Sequence, residues 1–335
     1  MVNSMEQSNQ RSCLIDNGKG VFIILVLLAH TPPFLTINTI PLDVKMVIHC
    51  VIMPAFFFFS GVLSKNIKKR VYNSDLNLLV PYIIFSLISV TFNGIRYGNL
   101  APASYNIFIP KIGFTWYLIA LFIMVMMLSI FAKLKKALGL SISLIISLLI
   151  CYIFTDETYH FLSIGIAFSM FPVFLLGYYI PINKFNSFCQ NKFFIILGIA
   201  GIAAICILTE MDLIYFRYRP HFFHKSIIAE VVKIACFVCT VLVVLGVNAI
   251  LPQRKCFLTT IGKNSLMVYL LHEYVYSFCG HLYDFDNDFV DLVIAIALAI
   301  SLSYMLSRPL IATSYHSIVS KLMTAVHRSH TGYME

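Results

Sequence analysis

Asp16, Lys19 and His30 have the types and spacing for acid–base chemistry at depth in a membrane. All fall in the nearly apolar run DNGKGVFIILVLLAH, residues 16–30. Lys19 and His30 are eleven residues apart. On an α-helix, at about 100° and 1.5 Å per residue, that places them on one face about 16 Å apart. Asp16 falls within about 40° of the same line. A charged pair would then mark one mouth of a span, with an imidazole at mid-membrane depth or slightly beyond. Imidazole changes charge nearest neutral pH and so suits a general base. An ionisable group inside a membrane marks a functional site or serves as hydrogen-bonding glue between helices, and His30 alone allows both. Lys19 and Asp16 equally allow ordinary flanking of a span.

The elements that must position these groups follow from composition. The 335 residues are 59% hydrophobic and only 12% charged, where a soluble domain carries roughly 25% charged residues. The apolar residues come in blocks long enough to cross a hydrocarbon core about 30 Å thick. The fold class expected is therefore all-α, a polytopic integral membrane protein. About ten transmembrane helices are expected, at 14–34, 43–64, 76–97, 113–132, 138–155, 160–180, 192–209, 227–250, 257–280 and 289–310. The bias of Lys and Arg to one side puts both termini in the cytoplasm. Residues 1–13 read as a disordered cytoplasmic tail without a cleavable signal, 14–312 as one membrane domain, and 313–335 as a cytoplasmic tail. The net charge of +9 is read as basic loops facing anionic lipid, and no nucleic-acid partner is expected. Cys236 and Cys239 form a CxxC inside an apolar helix and are read as small apolar residues; no metal is expected.

Other polar groups stand out within or beside these spans. KNIKKR, residues 65–70, closes the second span with Lys68, Lys69 and Arg70, a run that also serves as a topology signal. Ser60 and Gly61 offer a hydroxyl and a close backbone approach, or simply tight helix packing. Trp116, the only tryptophan, sits at a span end where interfacial anchoring is the default. On the ninth span Ser265, Tyr269 and His272 recur at spacings of four and three and share a face, with Asn264 beside it. Glu230 and Lys233, at i and i+3, are read as each other's partner. The aromatic and basic loop 215–225 is read as outward-facing.

The pattern Arg11-x4-Asp16-x2-Lys19-x10-His30 resembles the opening of the membrane acyltransferase-3 family. PAFFFFSGVL (54–63), LLVPY (78–82), FTWYLIALF (114–122) and IGKNSLMVYLLHEY (261–274) are similar to further motifs of that family, in its order. The style is close to the fucose 4-O-acetylase-like branch. One departure is that relatives usually carry an arginine just before LL-x-P, where this chain has Asp75 and Asn77; Lys68, Lys69 and Arg70 lie slightly earlier.

The resemblance implies a bacterial inner-membrane, multi-pass O-acyltransferase moving an acetyl group from acetyl-CoA to a sugar hydroxyl of a cell-surface or lipid-linked glycan. It implies His30 as general base, with Lys19 and Asp16 at the donor entrance. It places Lys68, Lys69, Arg70, Ser60 and Gly61 with the CoA donor. Trp116, Asn264, Ser265, Tyr269 and His272 fall with the acceptor. A transporter or flippase for a lipid-linked sugar is the competing reading, since it also needs many spans and buried polar groups.

Overall fold

The computed structural model describes residues 13–31, 41–97, 108, 115–214, 225–279, 287–311, 313, 315 and 317. Most of the expected tails at 1–13 and 313–335, of the loop 215–225, and the end of the first expected span lie outside the described residues.

Among the described residues every regular element is helical and no strand occurs. In chain order they are α1 (Cys13–His30), α2 (Leu42–Val62), the short α3 (Ile67–Tyr72), a wide π turn (Asp75–Leu79) running into α4 (Val80–Tyr97), α5 (Trp116–Phe131), and α6 (Lys136–Ile153). There follow the short α7 (Asp156–His160), a tight turn (Phe161–Ser163), α8 (Ile164–Tyr179), α9 (Ile182–Gln190), α10 (Phe193–Glu210), α11 (Ile227–Ile250), α12 (Phe257–Lys263), α13 (Ser265–Cys279) and α14 (Asp288–Leu306). Eight stretches among the described residues are long and apolar enough to cross a membrane; α5 is apolar but shorter. This is the architecture of a polytopic membrane protein, in which backbone groups away from water must be satisfied within the helix.

Local chemistry sets several boundaries. α1 stops at His30 because Thr31 precedes Pro32–Pro33, which disfavours a helical residue there and removes the next donors. The Thr31 N–H and hydroxyl both donate to the Leu28 carbonyl, at 3.1 and 2.7 Å, and close the last turn. His30 is thus the last residue of its helix. Asn66 caps α3 by accepting from the Lys69 N–H, and Asn287 caps α14 by accepting from Phe289 and Val290, each satisfying an orphan donor of a first turn. The expected single span 257–280 is broken. Asn264 leaves helical geometry (φ −101°, ψ 17°), and its side-chain amide donates to the Ser307 carbonyl at 2.7 Å, just past the end of α14.

The chain divides into two compact units, the first holding residues 1–59, 180–216 and 235–308, the second 60–179, 217–234 and 309–335. In the first unit α1 packs against α12, α13 and α14. Small residues permit that approach: a Cβ on Gly262 would overlap the Asp16 carbonyl, and one on Gly20 would meet the Leu258 carbonyl. Asn17 then clamps the helix. Its amide donates to the Pro252 and Arg254 carbonyls at 2.7 and 3.1 Å, and its oxygen accepts from the Thr259 hydroxyl at 2.5 Å. Phe56 to Phe59 of α2 are all buried, and Phe59 meets Phe22 edge-on at 5.8 Å.

In the second unit α8 packs against α5 and α6, with Phe131 edge-on to Phe171 at 4.8 Å. Gly61, at the end of α2, is a helix-crossing residue: a Cβ there would overlap the Phe174 carbonyl and lie 2.9 Å from the Tyr178 nitrogen. The tight packing that the sequence allowed for Gly61 is present. Backbone cannot swing aside as a side chain can, so Gly61→Ala is expected to destabilise by about 1–3 kcal/mol. Thermal melting in detergent reads this directly, and a wild-type melting temperature in the variant would show that the crossing has slack. Lys233 of α11 is buried with Glu230, its ion-pair partner, and also donates to the Ser169 hydroxyl at 2.7 Å and the Ser147 carbonyl at 3.2 Å. The Ser147 hydroxyl bonds the Ser169 carbonyl at 2.6 Å, so the pair is braced across α6 and α8.

Candidate active site

Within the first unit, α1 and α13 bring two imidazoles together. The His30 and His272 rings lie 5.4 Å apart, centroid to centroid, at 71°. Each ring is tied back to its own helix: Nδ1 of His30 is 2.7 Å from the Val26 carbonyl, and Nδ1 of His272 is 2.7 Å from the Tyr269 carbonyl. A carbonyl oxygen only accepts, so in both neutral rings Nδ1 carries the hydrogen and Nε2 carries the lone pair. His30 therefore has the tautomer a base needs. The carbonyl end of α1 also favours positive charge at that position.

Exposure separates the two rings. His30 is half-buried, whereas His272 is 0% exposed. Tyr269 and Tyr276, both buried, place their rings 6.0 Å from that of His272. The face predicted from the spacing of Ser265, Tyr269 and His272 forms, and all three of its members are buried. Asn264 spends its amide on Ser307 and so holds the α12–α13 break.

Lys19 and Asp16 lie on α1 some three turns before His30, a separation of about 16 Å or more along the helix. They do not join the imidazole pair. Lys19 is half-buried; Asp16 is 0% exposed, with its backbone carbonyl against Gly262. The Asn17 clamp was not singled out in the sequence, although Asn between two charged or glycine positions on a span is itself an anomaly worth a partner.

Within the second unit the basic run divides. Lys68 and Lys69 are exposed, while Lys65 and Arg70 are half-buried. The Lys65 ammonium donates to the Gly177 carbonyl at 2.9 Å and to the Tyr178 carbonyl. Burial, helped by Lys136, pushes its pKa down to about 8. Burial likewise lowers the pKa of Arg70, opposed by the Tyr117 phenol, and the Arg70 Nε is enclosed without a hydrogen-bond partner. Ser60 and Tyr117 share a hydrogen bond at 3.2 Å between their hydroxyls, and the neighbouring Trp116 is half-buried. Sequence reasoning missed Tyr117, though the Trp-Tyr pair inside FTWYLIALF contained it.

The shift at Lys65 has a testable sign. An unfolded chain holds that proton up to its ordinary value of 10.5, whereas the folded chain gives it up near 8. Raising the pH through that window therefore stabilises the fold, and below it the contribution is constant. Melting temperatures of the wild type are expected to gain relative to Lys65→Met between pH 8 and 10.5. Parallel curves for the two proteins would assign the slope to other groups.

Residues 14–308 match the model of the acyltransferase-3 family, described as an acyltransferase domain. Comparison with curated proteins and with solved structures returns no match.

Proposed function

The chain belongs to the acyltransferase-3 family, and we propose that it moves an acetyl group from acetyl-CoA to a sugar hydroxyl of a cell-surface or lipid-linked glycan, with His30 as general base. The observation that supports this most is the state of the His30 ring. The residue is half-buried, it ends its helix, and its Nδ1 is engaged with Val26 so that Nε2 holds the lone pair. In the reaction Nε2 takes the hydroxyl proton as the sugar oxygen bonds the thioester carbonyl carbon. The carbon–sulfur bond then breaks and the sulfur leaves with a proton as the CoA thiol. Such proton transfer contributes roughly 10²- to 10⁴-fold in rate.

Arg70 is the member of the basic run best suited to the phosphates of the donor. Its guanidinium is half-enclosed with Nε uncommitted, and a planar fork suits a phosphate. The exposed Lys68 and Lys69 attract the anionic donor at longer range. Lys65, held on two carbonyls, is a structural member of the run. Lys19 and Asp16 are assigned to the donor side. Trp116 is offered as a wall for the acyl group or sugar. The motif style of the fucose 4-O-acetylase-like branch favours a sugar acceptor, and the inner membrane of a bacterium is the expected location. Family membership weighs against the transporter reading, which would predict substrate movement without consumption of acetyl-CoA.

The test is purified protein given acetyl-CoA labelled in the acetyl group. Label released as acetate or passed to glycan is expected, and glycans from cells carrying the gene should gain the mass of an acetyl group. Movement of a lipid-linked sugar with acetyl-CoA untouched would overturn the reading.

A further inference from the structure

We infer that Cys50 and Cys236 are a redox pair, a buried dithiol that a small oxidant closes into a disulfide tying α2 to α11. The inference goes beyond the acyl-transfer reading and stands without it. Both residues belong to the first unit, and both are buried. The thiol of Cys236 shares a hydrogen bond with that of Cys50. The two backbones approach at the same level. The Thr240 hydroxyl, one turn after Cys236, lies 2.8 Å from the Cys236 carbonyl and 3.5 Å from the Cys50 carbonyl. A disulfide asks for side chains that point at one another, and a thiol–thiol hydrogen bond meets that requirement.

The rival partner for Cys236 is Cys239, also buried and three residues on in the same helix. On a helix, Cβ atoms three residues apart are about 5–6 Å apart, whereas a disulfide holds them at about 3.5–4.5 Å. Closing the CxxC would therefore distort α11, while closing the pair across helices would not. Among the described residues no group of three or more His, Cys, Asp and Glu could hold a metal ion, so the thiols have each other as partners. The oxidant is a peroxide, small and uncharged enough to enter between packed helices. One sulfur attacks a peroxide oxygen, the O–O bond breaks, and sulfenic acid and one water result. The second sulfur attacks the sulfenic sulfur, the S–O bond breaks, and a second water leaves as the S–S bond forms. Two thiols have then lost two electrons and two hydrogens to one peroxide. Enclosure protects the product, since exposed disulfides are the labile ones.

The experiment uses the full-length protein in detergent. The partly exposed Cys13, Cys206 and Cys256 are first blocked with maleimide. Hydrogen peroxide is then added, and the thiols left after denaturation are counted. Peroxide is expected to remove two thiols, both restored by dithiothreitol. A peptide map should join the α2 and α11 segments with the loss of two hydrogens. Cys50→Ser and Cys236→Ser should each abolish the joined pair, and Cys239→Ser should keep it. An unchanged thiol count overturns the inference. So does a Cys236–Cys239 link, a link between two chains, or irreversible oxidation of either sulfur alone, which would mark thiols unable to reach each other. The peptide map of the wild type decides even if the variants do not fold.

Discussion

His30→Ala is expected to lower acetyl transfer by roughly 10²- to 10⁴-fold, the usual contribution of a positioned general base, while leaving the folded protein intact. The two halves of that expectation have separate grounds. On the proposed reading activity depends on Nε2, which alanine lacks. Folding does not, because the residue is only half-buried and its Nδ1 bonds a carbonyl of its own helix. That Val26 carbonyl also receives the backbone N–H of residue 30 by helix geometry, so no acceptor is stranded when the ring goes. Turnover of labelled acetyl-CoA, with size-exclusion profile and melting temperature as controls, checks both halves. A variant that turns over at the wild-type rate removes His30 from the mechanism.

Lys233→Met should produce the largest loss of stability, about 3–5 kcal/mol, because it leaves a buried carboxylate without its cation. Glu230 and Lys233 are 2% and 5% exposed, and the ammonium also serves the Ser169 hydroxyl and the Ser147 carbonyl. Methionine fills much of the lysine volume but satisfies none of these acceptors. Glu230→Gln combined with Lys233→Met removes both charges, and an apolar or neutral replacement of a whole pair is often close to neutral. The double variant should therefore melt well above the single one. Equal melting temperatures for the two would mean that Glu230 is already neutral or rehydrated, and that the brace contributes little.

The helices were legible in the sequence because most apolar blocks are long enough to cross a membrane and most are punctuated by caps or prolines. Among the described residues each expected interval holds helix, within a few residues at most ends. The misreadings share a cause. Asn264 looks like one polar residue in a continuous apolar run, yet it breaks the run because its amide meets a carbonyl 43 residues later in the chain. KNIKKR shows as one basic run, with nothing in it to say which cations are buried. The short helix α3 and the carbonyls of residues 177 and 178 sort them, turning Lys65 and Arg70 inward and Lys68 and Lys69 outward. The face carrying Tyr269 and His272 was visible from spacing, but no periodicity could pair His272 with His30 across two helices. Gly61 was visible as a small residue, while its partner at Phe174 was not. Local propensity is written locally; cross-helix partnership is not.

The grip of Asn17 on the segment before α12 and on Thr259 has a mechanical consequence for the imidazole at the other end of the same rod. With its N-terminal end pinned at three points, the rod resists sliding and twisting, and the histidine keeps a nearly constant height. On the proposed reading, any widening that admits a sugar would come from the surrounding helices yielding around a fixed imidazole.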